Sequence, residues 1–107
     1  GAAGMTIYAG ETVTFKTSAT QIDDAETPIT DADVTSTEII VVDNNGLEVV
    51  SSTPMTWDAT DQEWRYAWTT TTNGTFQARL RLIGATFDTW EYQKVKVKVN
   101  PSPFTVP

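Results

Sequence analysis

The sequence predicts an all-β fold, a sandwich of two antiparallel sheets with about seven to eight strands. Apolar and polar residues alternate over long stretches, and no apolar repeat of helical period persists for about 11 residues. Thr, Val, Ile and aromatic residues, which suit pleated surfaces, dominate the alternating segments. Turn residues separate these segments at intervals of about 8–12 residues, which is typical of a sandwich.

The predicted strands are separated by Gly, Asn, Asp and Pro, the residues that favour turns. They cover residues 5–8, 12–18, 34–43, 47–52, 55–58, 63–70, 75–83 and 89–100. A polar loop over residues 21–33 forms the longest connection. The apolar run at residues 39–42 indicates that both faces of the third strand are covered there.

Residues 64–82 (WRYAWTTTTNGTFQARLRL) show the alternation most clearly, and they contain an Asn-Gly pair at residues 73–74. Asn-Gly favours the tight turn of a hairpin, so we expect residues 64–82 to form one β-hairpin. The DNNG sequence at residues 43–46 predicts a second hairpin, between the third and fourth strands.

Large apolar side chains are expected to fill the space between the sheets. The predicted core is Val13, Phe15, Ile40, Val42, Trp64, Tyr66, Trp68, Phe76, Ala78, Leu80, Leu82, Val95, Val97 and Val99. The aromatic row formed by Trp64, Tyr66 and Trp68 has an alternative role as a platform that stacks sugar rings. We favour the core, because a sandwich without a disulfide needs large buried side chains.

Composition limits the chemistry. The 107 residues carry a net charge of -7 and contain neither His nor Cys. An acidic chain repels phosphate backbones, so no nucleic-acid partner is expected, and no apolar window suits a membrane span. Asp58 and Asp61 lie on a predicted surface turn, where nothing would raise a carboxyl pKa. No nucleophile–base pair is available either, so we expect no enzymatic activity and no cofactor.

The domain boundaries are predicted as follows. Residues 1–4 (GAAG) are typical of a cloning remnant, with Met5 as the expected native start and no signal peptide before it. Residues 5–100 form one sandwich domain. Residues 101–107 form a Pro-rich tail, because proline cannot donate to a strand ladder.

Four segments are informative together: residues 28–34 (PITDADV), 42–46 (VDNNG), 55–68 (MTWDATDQEWRYAW) and 74–79 (GTFQAR). They resemble bacterial and phage immunoglobulin-like domains, in which P-L-x-D-A-x-V, D-x-x-G, W/Y-x-Y-x-W and G-T-Y-x-A/V segments recur. The resemblance covers most of residues 11–99 and implies an immunoglobulin-like sandwich. Phe76 replaces the usual Tyr, so a tyrosine-corner-like lock is absent or comes from elsewhere.

The resemblance implies a non-catalytic structural and interaction module. A short chain with its own Met looks most like a small virion protein of a tailed phage, in the capsid surface, neck or tail. The expected location is then the virion, and the expected partners are other virion proteins. Two alternatives stay open: a carbohydrate-binding module, motivated by four Trp and three Tyr, and an immunoglobulin-like repeat of a secreted or cell-surface bacterial protein.

The last strand carries the residues expected to bind a partner: Trp90, Tyr92, Lys94, Lys96 and Lys98. Their shared face would dock an acidic partner, or the acidic loop of a neighbouring copy. In the interpretation that we favour, the lysines instead protect an edge strand from aggregation. Phe104 is the large anchor of the Pro-rich tail, which we expect to act as a docking arm.

The acidic loop suggests a further alternative. Calcium takes several oxygen ligands from flexible loops, and the loop offers Asp23, Asp24, Glu26, Asp31 and Asp33. EF-hand spacing is absent. A solvated loop is therefore the favoured interpretation, and no metal is expected.

Overall fold

The computed structural model describes residues 3–22 and 24–99, and it confirms the predicted all-β class. The eight strands are β1 (Ala3–Tyr8), β2 (Thr12–Thr17), β3 (Val34–Asp43), β4 (Glu48–Thr53), β5 (Thr56–Asp58), β6 (Glu63–Thr69), β7 (Gly74–Gly84) and β8 (Asp88–Lys98). A short 3-10 helix, Asp31–Asp33, precedes β3. Within the described ranges, no helix has the length and apolar character needed to cross a membrane.

The strands form two sheets, one of five strands in the order β1-β8-β7-β3-β4 and one of three in the order β2-β6-β5. β1 runs parallel to β8, with Met5 opposite Val95. The prediction that both sheets are antiparallel is therefore wrong for the larger one. β1 begins at Ala3, so the predicted boundary at Met5 lies two residues inside this strand. The predicted tail at residues 101–107 lies outside the described residues.

The predicted hairpin over residues 64–82 is wrong. β6 pairs with β2 and β5, whereas β7 pairs with β3 and β8, so the connection around Asn73 and Gly74 carries the chain from one sheet to the other. The hairpin at residues 43–46 is confirmed by the pairing of β3 with β4. Its turn is closed by the Asp43 carboxylate, which accepts hydrogen bonds from the backbone N–H groups of Asn45 (2.8 Å) and Leu47 (2.9 Å).

One hydrophobic cluster joins the two sheets. Its members are Val13, Phe15, Ile29, Ile39, Val41, Met55, Trp64, Trp68, Phe76, Ala78, Leu80, Leu82, Val95 and Val97. The Trp68 ring centroid lies 6.0 Å from that of Phe15 and 5.2 Å from that of Phe76. The assignment of Trp64 and Trp68 to the core is confirmed, while Tyr66 is only half-buried and packs against the margin of the cluster.

Two further core predictions are wrong. β3 buries Ile39 and Val41 in the core and leaves Ile40 half-buried on the opposite face. Every residue of the run at positions 39–42 is apolar, so no alternation indicates which residues face the core. Val99 is 69% exposed, because β8 ends one residue earlier. Ile29, an isolated apolar residue of the polar loop, is buried although the sequence pattern did not predict it.

Candidate interaction surface

The five predicted partner-binding residues of β8 share the outward face of the larger sheet. Val95 and Val97 enter the core, so the intervening lysines Lys94, Lys96 and Lys98 project outward and are exposed. Trp90 and Tyr92 lie on the same side and are 40% and 45% exposed. Phe104, the sixth predicted residue, lies outside the described residues.

β8 is an interior strand, paired with β1 on one side and with β7 on the other. The explanation that its lysines protect a sheet edge is therefore wrong, because the backbone groups of β8 are already used in two ladders. A buried polar residue also ties this strand to the smaller sheet. Gln93 Nε2 donates to the carbonyl oxygen of Lys16 on β2 (2.8 Å) and to Oε2 of Glu91 (2.6 Å). The lysines are therefore carried by a strand that is fixed by β1, by β7 and by the hydrogen bond of Gln93 to β2.

β7 extends the charged surface, because its outward residues Arg79 and Arg81 lie opposite Tyr92 and Trp90. We call the outward side chains of these two strands the β7–β8 outer face. It contains Arg79, Arg81, Lys94, Lys96 and Lys98, five of the seven basic residues in the chain. With Asp88 as the one acidic residue on these strands' outward side, the face carries a charge of +4; since the whole chain carries -7, the rest carries -11.

At one end of this face, Arg81 is held by its own neighbours. Its Nη2 lies 2.6 Å from Asp88 Oδ2, its Nη1 lies 3.6 Å from Glu38 Oε1, and its guanidinium carbon lies 4.9 Å from the Trp90 ring centroid. The hydrogen bond to Asp88 raises the pKa of Arg81, and the same bond lowers the pKa of Asp88. The rings of Trp90 and Tyr92 are nearly parallel, at 8° with centroids 6.4 Å apart. This end is therefore an ordered aromatic surface.

The rest of the face carries charge without an acidic partner. Within residues 3–22 and 24–99, Arg79, Lys94, Lys96 and Lys98 form no ion pair. Arg79 Nε donates only to the neutral Gln77 side chain (2.9 Å). Four cations thus face solvent side by side, although the chain as a whole is acidic.

The acidic loop does not gather its carboxylates around one point. Among the residues that the structure describes, no group of three or more acidic side chains is placed to hold a metal ion, and Asp23 lies outside them. Asp33 instead accepts a hydrogen bond from the Thr30 backbone N–H (2.9 Å) at the start of the 3-10 helix. Asp24, Glu26 and Asp31 are exposed. The described part of the loop therefore presents solvated negative charge.

Asp58 and Asp61 have a structural explanation. The Asp58 carboxylate accepts the backbone N–H groups of Thr60 (2.9 Å) and Asp61 (3.1 Å), and it lies 3.0 Å from Nη1 of Arg65. The hydrogen bond from Asp61, followed by that from Thr60 and the charge of Arg65, lowers the pKa of Asp58. A general acid at neutral pH needs a raised pKa, so this carboxylate is suited to closing the turn between β5 and β6.

Two open grooves lie at the ends of the molecule. One, of about 640 Å³, lies between the acidic loop and the β7–β8 turn and includes Asp33. The other, of about 430 Å³, lies beside the β3–β4 turn and includes Asp43. Both carboxylates already accept backbone N–H groups within their own turns. Among the described residues that line the grooves, Asp33 and Asp43 therefore serve to close their own turns.

Arg79 and Arg81 were not predicted from the sequence as part of this surface. Their alternation with Leu80 shows that they point away from the core, but only the pairing of β7 with β8 places them beside Tyr92 and Trp90. The turn at residues 84–86 was the one signal that could have indicated this pairing. A scan against protein-family models gives no match, and a search of curated proteins finds no similar sequence.

Proposed function

We propose that this chain is a non-catalytic structural and interaction module with an immunoglobulin-like fold, and that the β7–β8 outer face binds an acidic protein. The observation that carries the proposal is the segregation of charge. Five of seven cations lie on one sheet face of a chain with a net charge of -7. The two other basic residues, Lys16 and Arg65, lie on the smaller sheet, so the β7–β8 outer face holds most of the positive charge of the chain.

The strand order supports the immunoglobulin-like assignment. The smaller sheet, β2-β6-β5, corresponds to strands B-E-D, and β8-β7-β3-β4 corresponds to G-F-C-C′. The crossing from β6 to β7 is then the E–F connection of that fold. Phe76 lies where the tyrosine of a tyrosine corner would stand, and it is buried against Trp68. Aromatic packing therefore takes the place of the missing hydroxyl bond.

Binding would use two kinds of contact on one rigid surface. Trp90 and Tyr92 supply exposed aromatic area, the type of side chain that contributes most to protein interfaces. Lys94, Lys96 and Lys98 supply positive potential, which steers an acidic partner and fixes its register. Little ordering cost is expected in the backbone, because β8 is held between two strands.

The resemblance to phage and bacterial domains suggests where such a module works. We place it on a phage particle, where many copies of a weak contact give strong attachment through avidity. Mass spectrometry of purified particles of the phage that encodes the chain tests this location. Many copies per particle are expected, and absence from the particles would favour the bacterial surface repeat instead.

The binding surface itself is tested on immobilised poly-L-glutamate at neutral pH and about 0.1 M salt, where the screening length is roughly 10 Å. Retention is expected despite the net charge of -7, because the face presents a local charge of opposite sign. The triple variant Lys94→Gln, Lys96→Gln, Lys98→Gln should elute unretained.

The matched control is Lys16→Gln, because Lys16 is exposed but lies on β2 in the other sheet. This variant should be retained like the wild type. Passage of the wild-type chain without delay, or equal loss of retention in the control and the triple variant, would rule out the β7–β8 outer face as the binding surface.

A glycan-binding role is the second proposal, and the exposed, nearly parallel rings of Trp90 and Tyr92 favour it. Tryptophan fluorescence with and without plant, bacterial-wall and host polysaccharides tests this role. A change that Trp90→Phe abolishes would support it, and unchanged emission with every polysaccharide would exclude it.

A further inference from the structure

We infer that the acidic partner of the β7–β8 outer face is a second copy of this chain, which docks its acidic loop on the face so that copies join head to tail. The inference rests on the proposed function. Every copy carries both halves of such a contact: a face with a charge of +4 and a loop with five of the 14 acidic residues. Charge complementarity between copies is thus a property of the chain itself.

The acidic loop and the lysines of the face lie toward opposite ends of the molecule. The 3-10 helix of the acidic loop leads directly into β3, and Val34 at the start of β3 pairs with Gly84 at the end of β7. The loop therefore lies at the end where β8 begins. Lys98 lies at the other end, where its carbonyl oxygen accepts the Ala9 N–H (2.8 Å).

Their separation prevents neutralisation within one copy. Lys94 is six residues beyond the start of β8, about 20 Å along a strand, which exceeds the screening length of about 8 Å at physiological salt. Asp24, Glu26 and Asp31 are exposed at the loop end, and the lysines have no ion pair among the described residues. Only another molecule can bring these charges together.

The geometry of such a contact predicts open assembly. The loop of one copy meets the sheet face of the next, so the two contacting surfaces differ and the contact does not close on itself in a dimer. The net charge of -7 makes distant copies repel one another. Salt screens this long-range repulsion more strongly than it screens the attraction between opposite charges in direct contact. We therefore expect association at moderate salt and its loss at high salt.

Sedimentation equilibrium of the full chain tests this at about 0.1 M and about 1 M salt, where screening lengths are roughly 10 Å and 3 Å. At the lower salt, the average mass should rise with concentration beyond that of a dimer. At the higher salt it should fall to that of the monomer. A wild-type chain that stays monomeric at every concentration at the lower salt would overturn the inference.

Two variants make the test specific. The face variant (Lys94→Gln, Lys96→Gln, Lys98→Gln) and the loop variant (Asp24→Asn, Glu26→Gln, Asp31→Asn) should each be monomeric alone. Their equimolar mixture should form a heterodimer, because the intact loop of the face variant can dock on the intact face of the loop variant. Only a substituted loop and a substituted face are then left, so assembly should stop at the dimer. A circular dichroism spectrum and melting curve like those of the wild type check that each variant is folded.

The remaining outcomes separate this inference from the proposed function. Retention of the wild type on poly-L-glutamate with no self-association would leave the acidic-protein surface standing and overturn the second copy as its partner. Self-association that persists in either variant alone would also overturn it, because a contact of another geometry would then join the copies.

Discussion

Val97 and Val99 are the same residue type two positions apart, yet the structure gives them opposite environments. Val97 is buried in the shared core, whereas Val99 lies beyond the end of β8 and is 69% exposed. The alternation of apolar and polar residues predicts both as core residues. It indicates which face of a strand a residue occupies, but it does not indicate where the strand ends and stops covering the other sheet. The burial of a single residue near a strand terminus therefore depends on where the strand ends, which the apolar–polar alternation does not indicate.

The pair provides a direct test of the core. Val97→Ala should reduce the free energy of unfolding by about 2 kcal/mol, since two buried carbons and their packing are lost. Val99→Ala should change it by less than about 0.5 kcal/mol, as at other surface positions. Urea denaturation followed by tryptophan fluorescence measures both, and equal losses in the two variants would contradict the position of the core.

At the scale of elements, the turn from β7 to β8 sets the pairing of these strands and so places Arg81 beside Trp90. Its first residue, Gly84, donates its backbone N–H to the Phe87 carbonyl oxygen (2.9 Å). A Cβ atom at Gly84 would meet the Phe87 ring and lie 2.8 Å from the carbonyl oxygen of Asp33. The close approach of two backbone segments therefore requires glycine here.

Gly84→Ala should accordingly destabilise the fold by roughly 1–3 kcal/mol, the usual cost of forcing extra volume into packed structure. Gly4→Ala is the control, because a Cβ atom at Gly4 has no neighbour within 4 Å. Thermal melting of both variants provides the comparison. Equal melting temperatures would show that the Phe87 ring and the Asp33 backbone can move to accommodate a Cβ atom at little cost, which would contradict the close packing at Gly84.

The elements also show how far the sequence could be interpreted. The bounds of β3 and the outward direction of Lys94, Lys96 and Lys98 follow from composition and alternation alone. The partner of each strand does not. Asn73-Gly74 suits a hairpin, but turn chemistry does not specify whether the next strand joins the same sheet. The shared outward face of the five β8 residues was therefore predictable. The strands that flank β8 and the cations that β7 adds followed only from the strand pairing in the structure.

At the scale of the whole molecule, the charge distribution affects stability through two carboxylates. Asp58 and Asp88 have pKa values lowered from the ordinary 3.8, the first mainly by the hydrogen bond from Asp61 and the second mainly by that from Arg81. A lowered pKa in the folded state means that each ionised carboxylate stabilises the fold above pH 3.8. That contribution is lost as the pH falls through the folded-state value.

Acid should therefore destabilise this protein through these two groups. The free energy of unfolding of the wild type is expected to decline below about pH 4, and Asp58→Asn with Asp88→Asn should make that decline shallower. Both groups are near solvent, so the effect is expected to be modest. Urea titrations from neutral to acidic pH measure it, and an unchanged slope in the double variant would contradict the assignment.

The proposed binding of an acidic protein depends most on the β7–β8 outer face. Amide NMR spectra of the full chain, recorded during a titration with poly-L-glutamate at about 0.1 M salt, test this most directly. The largest shift changes are expected on β7 and β8, around Arg79, Tyr92 and Lys94 to Lys98, with reversal at about 1 M salt. No shift changes at any ligand concentration, or changes confined to β2, β6 and β5, would contradict the proposed surface.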